Sequence, residues 1–306
     1  MRLALNIGYL TRRYDIGDTA KLVADAGFTG VDYSLMDMHD PSNRYHRDSW
    51  RAIAEEHGAV LRGHGVPVVQ THAPFRFLNF DDRAAWEDFI YPAIVRSIKA
   101  SAILGAKVAV VHPLHHYLYA GHEEEIFQQN MGFYRSLIPI CKEYDIKVGI
   151  ENMFQRDARR GHIVPDTCST IPEFCRYIDT LNSEYMVACL DVAHVVLPAN
   201  NIEPCDMIRG LGPERLHALH VHDNDYQDDR HSVPFTGKID WYQVTKALGE
   251  IDYCGDFTYE CNLERFTGCA NDAMMPHSLR YIADVGHHLI EQIEMSRKNN
   301  YLKQNT

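Results

Sequence analysis

Eight short apolar runs, each followed by a segment with apolar residues at helical spacing, succeed one another along this chain. The runs cover residues 3–9, 30–35, 66–71, 107–111, 147–150, 187–190, 216–221 and 256–259. The helical segments cover 16–27, 48–57, 82–104, 123–144, 170–181, 204–211, 240–249 and 272–295, with Gly27, Gly58 and Gly105 as stops. The run 107–111 does not alternate apolar with polar, which is what a parallel strand covered on both faces requires. Strands and helices in strict alternation are joined by right-handed crossovers, and eight such units can close on themselves. The fold class expected is therefore α/β, a single (β/α)8 barrel. Its 306 residues and 45% hydrophobic content suffice for that core, and no Pro-, Gly- or Ser-rich linker divides them. One domain over 1–306 is expected, with the tail frayed from about 297.

The placement of polar residues adds a second, independent argument. His72, His112, Glu151, Asp191, His220 and Glu260 each fall at the carboxyl end of a run, whereas the amino ends carry Lys107, Lys147 and Asp256 and no histidine. In a closed barrel the carboxyl ends form one rim, so groups far apart in sequence become neighbours around one mouth. The stretch 216–241, LHALHVHDNDYQDDRHSVPFTGKIDW, is the densest of these places: strand gives way to imidazoles and carboxylates within a few residues. Glu151, Asp191, His220 and Glu260 make the tightest subset. Three carboxylates and one imidazole suit one divalent metal, Mn2+ first, with Mg2+, Co2+ or Zn2+ as alternatives. Such an ion polarises a carbonyl and acidifies the neighbouring C–H, and a carboxylate on each side can then move the proton. Arg156, Arg159 and Arg160 follow Glu151 and offer a phosphate or carboxylate a partner, unless they form a solvated face. His115, His116, His162, His222 and the pair His287 and His288 receive no role from sequence.

The strings THAPF, VVHP, GIEN, CLDVAH, LHVHDND, DRHSVPFTGKIDW and YEC, in this order, resemble the xylose isomerase-like superfamily of TIM barrels over about residues 3–290. That superfamily holds sugar and sugar-phosphate isomerases and epimerases alongside endonuclease IV. Resemblance to its ketose 3-epimerase branch implies metal ligands at Glu151, Asp191, His220 and Glu260. It implies Glu151 and Glu260 as the catalytic acid/base pair and His194 beside the substrate. His72, His112, Asp229, His231 and Arg156 are the expected substrate-binding residues. Resemblance to endonuclease IV implies extra metal ligands at His72, His112, His194, Asp229 and His231, which leaves a second metal open. Against the nuclease stand VVLPANN after the sixth run, GIENMFQRD after the fifth, and a net charge of -12 that opposes binding a polyanion. The isomerase that shifts hydride has a lysine at its site, and Lys238 is the only lysine placed near this rim, so proton transfer is expected.

The reading is a metal-dependent sugar or sugar-phosphate isomerase or epimerase. A lyase or dehydratase acting on a keto-sugar is the alternative, including the catalytic subunit of a lyase that cleaves C-glycosides. The expected partners are a small sugar or sugar phosphate and further copies of the chain, or a second subunit type, with neither nucleic acid nor membrane. Eight cysteines without a Cys-x-x-Cys pair, and a start too short for a signal or a span, read as reduced thiols in the cytoplasm.

Overall fold

The computed structural model describes residues 1–75, 82–114, 118–261 and 272–304. Residues His115, His116, Cys269 and most of segment 263–276 lie outside them. The strands are β1 (Leu3–Asn6), β2 (Gly30–Ser34), β3 (Val68–His72), β4 (Val108–Val111), β5 (Lys147–Glu151), β6 (Phe154–Arg156), β7 (Ile163–Pro165), β8 (Met186–Asp191), β9 (Leu216–His220) and β10 (Phe257–Tyr259). The main helices are α1 (Ile16–Ala26), α2 (Trp50–Gly63), α3 (Tyr91–Leu104), α4 (Glu123–Tyr144), α5 (Ile171–Leu181), α6 (Pro204–Arg215), α7 (Trp241–Glu250) and α8 (Met275–Gln304).

Eight strands form one parallel sheet in the order β10, β1, β2, β3, β4, β5, β8, β9. The ring closes between β9 and β10, where Val221 N donates to Thr258 O at 2.9 Å and Glu260 N donates to Val221 O at 3.1 Å. The fold is thus a (β/α)8 barrel with its helices outside. Alternation along each strand sorts its residues. Ala109, Val111, Val148, Ile150, Ala188, Leu190 and Leu219 join the large core under the helices. Val108, Val110, Val187, Cys189 and Ala218 form a separate small cluster inside the barrel. Asn6, Asp32 and Gln70 make a buried polar layer between that cluster and the rim.

Several local expectations change. Gly58 does not stop a helix: α2 runs on to Gly63, and a Cβ on Gly58 would come within 2.7 Å of Leu104 O. The glycine therefore lets α2 approach the end of α3. The helix expected over 82–104 forms as continuous right-handed helical backbone over 83–104, with one wide π turn, Trp86–Ile90, just ahead of Pro92, which has no N–H to donate to the preceding turn. The segment after Glu151 forms the antiparallel hairpin β6–β7. The last helix extends to Gln304, where Arg297 bonds to Tyr253 O and Asn300 Nδ2 donates to Glu250 O at 2.9 Å. The seven described cysteines are free, and no described helix is long and apolar enough to cross a membrane.

The connection from β9 to α7 is pinned by one carboxylate. Asp223 is buried and accepts from Asn224 N (2.9 Å), Ile239 N (3.2 Å), Gly237 N (3.0 Å) and Trp241 Nε1 (2.9 Å). Its backbone pairs with Ser232 in both directions. Gly237 has no room for a Cβ, which would lie 2.2 Å from Asn224 O and 2.3 Å from Asp223 Oδ1. Asp223→Ala should therefore lower stability by roughly 3–5 kcal/mol, since it orphans several donors at about 1–3 kcal/mol each. Chemical denaturation measures it; a loss below about 1 kcal/mol would mean that water replaces the carboxylate.

Candidate metal centre and active site

The carboxyl ends of β3, β4, β5, β8, β9 and β10 bring His72, His112, Glu151, Asp191, His220 and Glu260 to one rim, as their positions in sequence require. One ligand atom each from Glu151, Asp191, His220 and Glu260 lies within 4.8 Å of all the others. Asp191 and His220 are paired in register across β8 and β9, which fixes two of the four through backbone hydrogen bonds. His220 is wholly buried, and its Nδ1 lies 3.3 Å from both Glu151 Oε1 and Glu260 Oε2. Neither of its ring nitrogens has a hydrogen-bond partner among the described residues.

Around this set, hydrogen bonds to backbone carbonyls orient the imidazoles. His72 Nδ1 bonds to Ala73 O at 2.9 Å, His194 Nδ1 to Asn152 O at 2.9 Å, and His231 Nδ1 to Glu260 O at 2.7 Å. A carbonyl only accepts, so each Nδ1 is the donor and each Nε2 is turned to the carboxylates. His72 Nε2 lies 3.6 Å from Glu151 Oε2, His194 Nε2 3.7 Å from Asp191 Oδ2 and 3.8 Å from Asp229 Oδ2, and His231 Nε2 2.9 Å from Asp229 Oδ2. His112 Nε2 reaches Glu151 Oε2 at 3.0 Å, and Phe75 stacks on its ring with centroids 4.3 Å apart. His72, His112 and Glu151, and separately His222, Asp229 and His231, also present ligand atoms within 4.8 Å of one another.

The fields of these groups shift one another's protonation. Burial alone would raise the Glu151 carboxyl, yet the His220 and His112 imidazoles hold it well below the usual range. Burial would likewise lower His220, but Glu260, Cys189 and Glu151 keep it well above the ordinary histidine value. Burial opposes the charge of His231 too, and Asp229 and Glu260 push it up to about 9.

Three features of the site were not assigned from sequence. His222 is fully buried, its Nε2 is 3.0 Å from Asp191 Oδ2, and its ring stacks on His231 at 4.0 Å. The signal was the His-x-His spacing, which puts His220 and His222 on the same inner face. Asn152 knits β5 to β8: its Oδ1 accepts from Asp191 N at 2.8 Å and its Nδ2 donates to Asp191 O at 3.0 Å. Ala193 N and His194 N both donate to Asp191 Oδ1 at 2.9 Å, leaving Oδ2 to face the group. The third is Asp32, below His220.

Arg156 is not brought into the group. Hairpin β6–β7 carries it outward, its side chain is 54% exposed, and its guanidinium bonds to Asp228 Oδ1 at 2.6 Å. Arg160 pairs with Asp157 at 2.9 Å, and Lys238 is exposed. The hairpin instead contributes Phe154, whose ring meets His194 edge-on at 4.9 Å.

The architecture has known counterparts. An uncharacterized protein of Methanocaldococcus jannaschii, MJ1311, is 29% identical over 241 residues, covering 74% of this chain and 79% of its own. The crystal structure of a D-psicose 3-epimerase in the presence of D-fructose superposes with a TM-score of 0.70 at 16% identity, covering 94% of this chain and 99% of that one. The structure of IolI with a bound zinc atom superposes with a TM-score of 0.69 at 16% identity, covering 97% and 99%. At such identities these two likenesses are of fold. The family model for the xylose isomerase-like TIM barrel matches residues 20–285, and the chain belongs to that family.

Proposed function

We propose that this protein is a divalent-metal-dependent isomerase or epimerase of a ketose or related keto-sugar, working by proton transfer beside a carbonyl. The observation that carries the reading is His220, a buried imidazole without a hydrogen bond whose Nδ1 stands between Glu151 and Glu260. A nitrogen lone pair surrounded by carboxylates fits a cation better than it fits any neighbour on the protein. Glu151, Asp191, His220 and Glu260 would hold that ion, and their oxygen-rich set favours Mn2+ over a closed structural zinc. The likeness in fold to a D-psicose 3-epimerase supports the epimerase reading, and that to IolI with a bound zinc atom supports a barrel that holds a metal.

A bound ion supplies positive charge that polarises a substrate carbonyl and acidifies the adjacent C–H. The chain's own groups do the rest. Glu151 and Glu260 come from β5 and from the end of β10, on different arcs of the ring. A substrate lying between them meets a carboxylate on each side: one takes the carbon-bound proton and the other returns a proton to the opposite face, which inverts the carbon. His194, with its Nδ1 committed to Asn152 O, offers Nε2 to a sugar hydroxyl. His72, His112, Asp229 and His231 supply further donors and acceptors along the mouth, and Phe75 and Phe154 exclude water beside them. The Arg156–Asp228 pair fastens the hairpin to the loop after β9.

Asp191→Asn and His220→Ala should lose stoichiometric metal, read by elemental analysis after gel filtration, and should lose the thermal stabilisation that added Mn2+ gives the parent. Full metal content in either variant would remove that residue from the set. Metal affinity should rise with pH across neutrality. Burial pulls the His220 ring down, but Glu260 and its neighbours hold it well above the ordinary value, and its proton must leave before Nδ1 can ligate. Calorimetric titrations in two buffers should therefore report proton release on binding; binding without release would contradict the ligand role of His220.

Glu260→Gln keeps the volume but cannot accept a proton, so at saturating Mn2+ turnover should fall by on the order of 10² or more. The parent enzyme, incubated with a panel of ketoses and 3-keto-sugars in ²H₂O, should place solvent deuterium on carbon. Complete retention of the substrate's own hydrogen would replace proton transfer with an intramolecular hydride shift and leave the ligand set standing.

A further inference from the structure

Asp32, on β2, is wholly buried inside the barrel and has no part in the proton transfer proposed above. Its Oδ2 accepts from Asn6 Nδ2 at 3.2 Å and from Gln70 Nε2 at 3.5 Å, and lies 3.6 Å from His220 Nε2. Other contacts set the two amides. Asn6 Oδ1 accepts from Gly8 N at 3.0 Å, and Gln70 Nε2 also donates to Leu219 O at 3.4 Å, so both turn N–H toward Asp32. Its Oδ1 is buried without a hydrogen-bond partner, and among the described residues no lysine or arginine pairs with the carboxylate. Two neutral amides do not neutralise a charge, so by itself this is a destabilising place for an aspartate.

What faces it supplies the reason. A neutral imidazole carries hydrogen on one nitrogen and a lone pair on the other, and the partner of the first decides which is which. A carboxylate facing Nε2 selects the form with hydrogen there, which leaves the lone pair on Nδ1, the nitrogen 3.3 Å from both Glu151 and Glu260. The negative charge behind the ring also makes Nδ1 a stronger donor to a cation in front of it. We propose that Asp32 is a positioning residue that fixes the ring form and orientation of His220 as a metal ligand. The inference rests on the metal reading of Glu151, Asp191, His220 and Glu260.

The test compares the parent protein with Asp32→Asn, an amide of the same shape, each stripped of metal and each titrated with Mn2+. Two quantities are read: the Mn2+ dissociation constant by calorimetry, and the melting temperature with and without metal. The expected result has opposite signs. Affinity falls by about 10- to 100-fold, the range seen when such supporting groups are removed, while the metal-free variant melts no lower than the metal-free parent. A strut that merely fills the inner layer predicts the reverse: both forms melt lower and the folded variant binds Mn2+ as tightly as the parent. Either that pattern or a variant that fails to fold without metal overturns the proposal. Parent protein that binds no Mn2+ sinks the metal reading itself, and the role of Asp32 with it. Equal Mn2+ affinity in parent and variant sinks the role of Asp32 alone.

Discussion

Carboxylates taken out of water within a few ångströms of one another repel, and everything at this rim is arranged around that constraint. Glu151 and Asp191 are both buried, and the charge of Glu151 opposes the ionisation of Asp191. The structure interleaves imidazoles between them: His220 between Glu151 and Glu260, His194 between Asp191 and Asp229, and His222 against Asp191. Attraction between unlike groups at 3 to 4 Å in a medium of low polarity outweighs much of the repulsion. It does not remove the cost of burial, which is why the arrangement is better suited to receiving a cation than to being left alone. Stability and chemistry are in tension here, and the apolar barrel wall outside the strands supplies the stability.

That division also explains what the sequence makes legible. The ring of strands was readable because each apolar run is short, bounded and followed by a helical pattern. The rim was readable because His72, His112, Glu151, Asp191, His220 and Glu260 break those runs at their carboxyl ends, where a parallel barrel gathers them. The inner polar layer was not. Asn6, Asp32 and Gln70 lie within strands, and a polar residue inside a strand normally faces water. In a closed ring its alternative is the interior, and only the register of neighbouring strands reveals that Asp32 faces Gln70 and His220. Arg156 lies outside the buried group for another reason: proximity in sequence to Glu151 says nothing about direction once a hairpin turns the chain outward. Gly58 misled because a glycine that permits close approach has the same letter as one that ends a helix.

The rim is held by two kinds of support. Regular hydrogen bonding places Glu151, Asp191 and His220 to within the precision of a sheet, and Asn152 extends that ladder one residue beyond its last strand pair. Asp229 and His231 sit on a loop and need another anchor, which Asp223 and the tight contact at Gly237 provide. A loop fastened in this way behaves as an extension of the scaffold, and sites on scaffolds hold geometry better than sites on free loops.

The closure of the ring carries a consequence for how the protein comes together. Glu260 N donates to Val221 O, so a residue whose side chain belongs to the cluster with Glu151, Asp191 and His220 also makes the seam between β9 and β10. Its neighbour β10 pairs with β1, joining residues as remote as Leu3 and Phe257. Contacts so distant in sequence are entropically the slowest to form. The barrel cannot shut without assembling the group, and the group cannot be whole in a chain whose ring is open. An ion held by His220 on one side of the seam and Glu260 on the other would therefore act as a clasp, and its release would loosen the chain first along that line.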